Sequence, residues 1–224
     1  VWYRVIRRIN TCCKFAKNEN VRLLIDAEES WLQDAIDEIA LELMRKYNTG
    51  KEPLIFNTAQ MYRKDKFSYL KNLINTAKRE NFQIGIKLVR GAYMEKENDK
   101  ALKKGYPSPI CDSREETDKN FNAGLYLILS NLNRCELFLG LHSEDSTLRV
   151  IDWMKEKKLS KNHSRIWFSQ LYGMADHISF NLASAGYQVI KYVPYGPIKE
   201  VIPYLIRRAE ENTSIKGQTP RELS

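Results

Sequence analysis

Cysteine is scarce. Cys12, Cys13, Cys111 and Cys135 are the four in 224 residues, and none shows the C-x-x-C spacing that metal sites use. The vicinal pair lies in a helical stretch and reads as structural, and a reducing compartment is the simpler inference. No apolar run approaches the ~18–20 residues of a membrane helix, which leaves a soluble or at most peripheral chain. An N-terminal signal pattern is absent. So is the G-x-G-x-x-G fingerprint of a dinucleotide-binding turn, and no repeat or low-complexity segment occurs. The first residue is Val, and Trp2, Val5, Ile6 and Ile9 already recur at helical spacing. A C-terminal piece of a longer protein is therefore expected.

Acidic residues are outnumbered, 28 against 36 Lys and Arg, for a net charge of +8. Such a balance can serve nucleic acid or an anionic membrane surface. Here the cations are scattered among acids, as in Lys155-Glu-Lys-Lys158, and form no basic stripe interleaved with aromatics. A solvated surface is the better reading, with no nucleic acid as partner.

What is present is alternation. Short β-branched or apolar runs lie at Val21–Asp26, Leu54–Thr58, Gln83–Val89, Glu136–His142, Arg165–Leu171 and Gln188–Pro194. Between them run amphipathic stretches at Trp31–Lys46, Lys66–Arg79, Glu115–Ser130, Thr147–Lys157, Ile178–Ala185 and Ile198–Arg208. Strands separated by helices predict βα units and a parallel sheet buried on both faces. One long loop is expected from Lys104 to Arg114, around Gly105, Pro107 and Pro109. Polar side chains gather at the C-terminal ends of the strands: Asp26, Gln60, the Lys87–Tyr93 segment, His142 and Tyr192. A barrel brings such ends to one mouth, whereas a doubly wound sheet spreads them along an edge. An α/β fold of the (βα)8 TIM-barrel type is expected, with about six of the eight units in this piece and residues 1–224 as a single catalytic domain.

Arg207 and Arg208 stand side by side on the last helix, with Glu211 at i+4 from the first and i+3 from the second. An isolated Arg-Arg pair is most often a solvated face. A guanidinium fork also matches a carboxylate through two parallel charge-assisted hydrogen bonds.

Six segments, taken together, carry a resemblance. They are Leu24-Ile-Asp-Ala-Glu-Glu29, Asn57-Thr-Ala-Gln-Met-Tyr-Arg63, Lys87-Leu-Val-Arg-Gly-Ala-Tyr93, Gly140-Leu-His142, Phe168-Ser-Gln-Leu-Tyr-Gly-Met174 and the Tyr192–Arg208 block. In order and spacing they resemble the proline dehydrogenase family, from about Val21 to Ile215. The resemblance implies a distorted barrel whose last helix lies over the mouth, and an FAD that accepts a hydride from C5 of L-proline at N5. Arg207 and Arg208 would clamp the substrate carboxylate, with Glu211 supporting them. Asp26 would pair with an arginine and hold the lid shut, beside its other reading as the start of a helix cap. Tyr93, Leu171, Tyr192 and Tyr204 would form the apolar wall, and Tyr192 would leave no room for a ring hydroxyl.

The resemblance places Gln60, Lys87, Val89, Arg90, Gly91, Ala92 and His142 along the cofactor. Gln60 can both donate and accept, Lys87 or Arg90 can meet negative charge, and Gly91 permits close backbone approach. No general base and no metal are assigned. Electrons would pass to a quinone or another acceptor. The chain would be cytoplasmic, with a peripheral position at the inner face of the membrane as the open alternative, mitochondrial in a eukaryote. Two other readings are a hydroxyproline dehydrogenase and a non-catalytic basic binding domain. The missing βα units and one clamp lysine would precede Val1.

Overall fold

Six strands alternate with helices in the computed structural model, which describes residues 2–214 and the side chains of these except Arg207 and residues 209–214. The elements are α1 (Trp2–Asn18), β1 (Leu23–Ile25), α2 (Ser30–Tyr47), β2 (Ile55–Gln60), α3 (Lys66–Glu80), β3 (Ile84–Val89), α4 (Met94–Lys104), α5 (Arg114–Leu129), β4 (Cys135–Gly140), α6 (Glu144–Glu156), β5 (Ile166–Leu171), α7 (Asp176–Ser184), β6 (Val189–Tyr192) and α8 (Ile198–Ser214). Strand order follows chain order, from β1 to β6. The fold is α/β with six parallel strands. The chain divides into two compact units, Val1–Gly140 with Ser164–Ile166, and Leu141–His163 with Trp167–Ser224.

In the first unit β1 to β4 pair in parallel. All six residues of β2 are buried, because helices cover one face and side chains of the same unit fill the other. Phe56 and Phe138 meet edge to face in that core, with centroids 4.9 Å apart. At the N-terminal ends of the strands the buried Asn48 side chain uses both ends. Its amide donates to the carbonyls of Ile55 and Gln83, and its oxygen accepts from the N–H groups of Leu54 and Ile55. The starts of β2 and β3 are thereby fixed together.

Behind β2 lies a buried ion pair, Asp37 of α2 with Lys66 of α3. Gln33 and Asn57 donate to the same carboxylate at 2.8 and 2.7 Å. Such a pair survives burial because its remaining lone pairs are also satisfied. Burial pushes the Cys135 thiol up to about 12 and the Cys13 thiol up to about 11, so both stay protonated.

One helix escaped the sequence reading. Two helices, α4 and α5, connect β3 to β4, and the loop expected from Lys104 to Arg114 lies between them at residues 105–113. The buried side chains of α4 are Glu97 and Ala101, while Leu102 is 84% exposed. A helix that hides a carboxylate and shows a leucine has no apolar periodicity to detect. Gly105 ends it at φ +71°, a left-handed turn that glycine adopts without strain.

In the second unit β5 pairs with β6, which sets Leu171 beside Tyr192. A T-shaped contact joins Phe168 of β5 to Tyr187, centroids 5.8 Å apart.

Candidate functional site

Register decides which side chains share a face. Thr58 pairs with Lys87 and Gln60 with Val89, so these four point to the side of the sheet away from α2 and α3. Asp26 follows Ile25, the partner of Asn57, and therefore falls in the row of Thr58 and Lys87. The lysine reaches along this row, and its Nζ lies 2.6 Å from Asp26 Oδ1. Among the described residues the cation that Asp26 meets is this lysine from β3, and the side chain of Arg207 lies outside them. The helix-cap reading of Asp26 changes, since the N-cap residue of α2 is Glu29.

Gln60 is 2% exposed and spends both ends of its amide on backbone. The nitrogen donates to Glu28 O at 2.8 Å, and the oxygen accepts from Ala92 N at 3.2 Å. It therefore spans the loop after β1 and the loop after β3. One N–H and one lone pair remain to it for a ligand. The same two loops meet again where the Tyr93 hydroxyl donates to Glu28 Oε2 at 3.1 Å.

Glu28 is a residue that sequence reasoning passed over. Its signal was the acidic run after β1, which looks like an ordinary helix start.

Arg90 turns toward α5. Its Nε lies 2.8 Å from Asp118 Oδ1, and its guanidinium stands 4.8 Å from the Phe121 ring centroid. Gly91 has φ +144°, and a Cβ there would fall 2.4 Å from the Tyr62 ring. The close approach that this glycine permits is thus to a buried tyrosine of the same unit. Burial, then the charge of Glu97, raises the Tyr62 pKa, so the ring stays neutral. Val89 lies beneath Gly140, where an added Cβ would meet Val89 Cγ1 at 2.8 Å.

In the second unit His142 is half-buried just past β4. Leu171 ends β5 with 8% exposure, and Tyr192 ends β6 with 43%. Tyr192 meets Tyr204 of α8 edge to face, centroids 6.0 Å apart. The Arg208 guanidinium lies 5.2 Å from the Tyr204 ring centroid, a cation–π contact that orients it. The side chains of Arg207 and Glu211 lie outside the described residues.

Lys191 also went unnoticed in the sequence. It donates to Met174 O at 2.8 Å and to Asp176 Oδ1 at 2.6 Å, tying the loop after β5 to β6. A lone lysine inside a strand carries no pattern that would single it out.

The first unit can offer a cation, an amide edge and an aromatic hydroxyl at neighbouring strand ends. The second offers an apolar row and an oriented guanidinium. Among the described residues no cluster of His, Cys, Asp or Glu could hold a metal ion.

A family model described as "Proline dehydrogenase" matches residues 2–221. Proline dehydrogenase 1, mitochondrial, of Homo sapiens is 42% identical over 98% of this chain and 37% of its own length. The protein of the same name from Drosophila melanogaster is 41% identical over 97% of this chain and 33% of its own. A hydroxyproline dehydrogenase of Xenopus laevis is 40% identical over 94% of this chain and 46% of its own. The chain thus spans between about a third and a half of the length of these relatives. A solved structure, proline utilization A from Bdellovibrio bacteriovorus inactivated by N-propargylglycine, superposes with a TM-score of 0.87. It is 24% identical over 96% of this chain and 22% of its own, so the likeness speaks for the fold alone.

Proposed function

We propose, from the premise that this chain belongs to the proline dehydrogenase family, that its parent protein oxidises L-proline to 1-pyrroline-5-carboxylate with bound FAD. The observation that carries the reading is the set of strand ends in the first unit. There Lys87, Gln60 and Tyr93 stand at neighbouring ends and are held by Asp26, Ala92 and Glu28. When bound, FAD supplies the acceptor for a hydride leaving C5 of the ring.

The donor set fits such a group. Gln60 keeps one N–H and one lone pair for a heterocycle edge, and Lys87 brings a cation to the same face of the sheet. Val89, Arg90, Gly91, Ala92 and His142 complete the proposed cofactor contacts.

The rest falls to the chain. Arg208, with Arg207, would hold the substrate carboxylate through paired charge-assisted hydrogen bonds. Leu171, Tyr192, Tyr204 and Tyr93 would press the ring into place and exclude water. Fixing the carboxylate and the ring converts a collision into a placed encounter, which is where such a site gains its rate. No side chain is assigned as general base, so the substrate nitrogen must arrive neutral.

Tyr192 bears on the choice between proline and hydroxyproline. A full tyrosine ring at this wall leaves little room for a hydroxyl on the substrate, which favours proline. Electrons would leave to a quinone or a similar acceptor, at the inner face of a membrane in the parent. Among the described residues no helix is long and apolar enough to cross one.

The test uses the full-length parent. It is expected to purify yellow and to bleach without oxygen on addition of L-proline. A folded, flavin-loaded parent that proline leaves yellow would overturn the proposal. Faster bleaching by 4-hydroxyproline would move the substrate instead. Steeply salt-dependent retention on DNA without flavin would support a basic binding domain.

A further inference from the structure

Glu97 is fully buried, yet it is an acid in the first turn of a helix with open surface on its other sides. A carboxylate goes inside when it finds donors there. Its donors come from 67 residues away: Ser30 N at 2.5 Å to Oε1, and Ser30 Oγ at 2.7 Å to Oε2. Ser30 is the first residue of α2, where the backbone N–H has no partner within the helix. The residue before it, Glu29, makes no side-chain cap and pairs with Lys96 instead. The cap of α2 is thus delivered from α4, through both oxygens of one carboxyl group.

This cap lies next to the contact that orients Tyr93. The Glu97 N–H donates to Tyr93 O at 2.9 Å, so both residues belong to one turn of α4. The Tyr93 hydroxyl reaches Glu28, two residues before Ser30. The start of α4 therefore grips the start of α2 at three points, Glu28, Glu29 and Ser30, with Gln60 bridging the loops in front of both. Releasing Ser30 would let Glu28 drift and the tyrosine ring turn.

We infer that Glu97 is a positioning residue for the wall at Tyr93, acting through Ser30 and Glu28. The inference rests on the proposed role of Tyr93 against L-proline. It adds a buried acid that touches neither substrate nor cofactor in that reading.

The experiment uses the full-length, flavin-loaded parent with Glu97→Ala, Glu97→Gln and Ser30→Ala. Two quantities are read: KM and kcat for L-proline, and amide hydrogen exchange of residues 28–33 and 93–97 without substrate. Glu97→Ala is expected to raise KM about tenfold, with kcat within about threefold, since placement is lost rather than chemistry. Exchange in both segments should quicken at least tenfold while β3 keeps its protection. Glu97→Gln keeps an acceptor for Ser30 N, and its amide can donate to the hydroxyl, so KM should stay within about twofold of the parent. Ser30→Ala loses one of the two contacts and should raise KM about threefold.

A parental KM and parental exchange in Glu97→Ala would overturn the inference. So would Glu97→Gln behaving like Glu97→Ala, which would make the charge the cause and not the contact. If Glu97→Ala does not fold, Ser30→Ala decides on the same two readouts, and parental values there overturn it. A parent that proline does not bleach sinks the substrate reading instead, while the exchange data still judge the grip on Ser30.

Discussion

Every residue of β2 in the first unit is buried, whereas β6 in the second has three half-buried residues and ends on an exposed tyrosine. The contrast extends to the segments that follow the strands. After β2 and β3 the chain carries polar groups already engaged within the unit, such as Gln60, Arg90 and Tyr93. After β6 it carries apolar surface: Val193 at 60%, Tyr195 at 99% and Ile198 at 79% exposure, with Ile202, Leu205 and Ile206 also open on α8. An apolar patch of this kind is a surface built for contact. A polar strand end with its partners in place needs no ligand to hold its geometry. The first unit is therefore organised in advance, and substitutions behind its strands or at its tight glycine should register first as stability. Substitutions in the second should register as affinity.

Lys66→Met puts the heaviest strain on that comparison. It leaves Asp37 buried with Gln33 and Asn57 as donors but without its cation. Breaking a buried pair from one side costs about 3–5 kcal/mol, a large part of any domain's stability. Denaturant unfolding of the parent should show this loss directly. A change below about 1 kcal/mol would mean that the region around the pair opens to water, and the contrast would collapse.

Gly91→Ala should come next. The added Cβ meets the Tyr62 ring at 2.4 Å, and φ +144° is costly for any side chain. A destabilisation of about 2 kcal/mol is expected, together with a lower flavin content because Ala92 and Gln60 move with the loop. Normal stability with normal flavin would show that the tyrosine ring yields freely.

Arg208→Ala tests the other side. Its guanidinium packs on Tyr204 near the end of the described chain, so stability should change by less than about 1 kcal/mol. In the proposed role, losing a charge-assisted contact worth about 1.5–3 kcal/mol raises KM for proline about 10- to 100-fold. The same measurement sharpens the comparison if thermal midpoint and KM move independently. It breaks the comparison if Arg208→Ala unfolds the parent as readily as Lys66→Met.

The six strands were legible because buried parallel strands are written as continuous apolar runs, as in Ile84–Val89. Their ends were legible too, since polar residues interrupting such runs are few. α4 was not, because its hidden face is Glu97 and Ala101. The role of Glu97 depends on Ser30, and no local pattern links positions 67 residues apart. Gly91 shows a subtler limit. Glycine announces a close approach, and the neighbour that crowds its missing Cβ, Tyr62, is set by where β2 ends. Asp26 is similar: the register of three strands delivers Lys87 to it, a partner that its position after β1 does not announce. Residue types announce a need for partners; topology chooses them.

The mildest effect concerns acid. Burial alone would raise the Glu29 carboxyl, but the Lys96 hydrogen bond, its own backbone N–H and the charges of Lys96 and Lys100 outweigh it and hold the pKa below the usual glutamate range. A depressed pKa means that the folded state binds its proton less readily than the unfolded chain. The resulting stability is complete above the ordinary range near about 4.3 and disappears as pH falls through the depressed value. Lys96 is 62% exposed, so the pair is worth less than about 1 kcal/mol. Lys96→Met keeps the apolar stem near the Trp31 ring, over which the ammonium stands at 5.7 Å from the centroid. At pH 7 this variant should unfold at slightly lower denaturant than the parent, and at pH 3 the difference should shrink toward zero. An equal deficit at both pH values would assign the contribution to contact with Trp31. The grip between the starts of α2 and α4 would then owe nothing to this surface charge and would rest on the Glu97 and Tyr93 contacts.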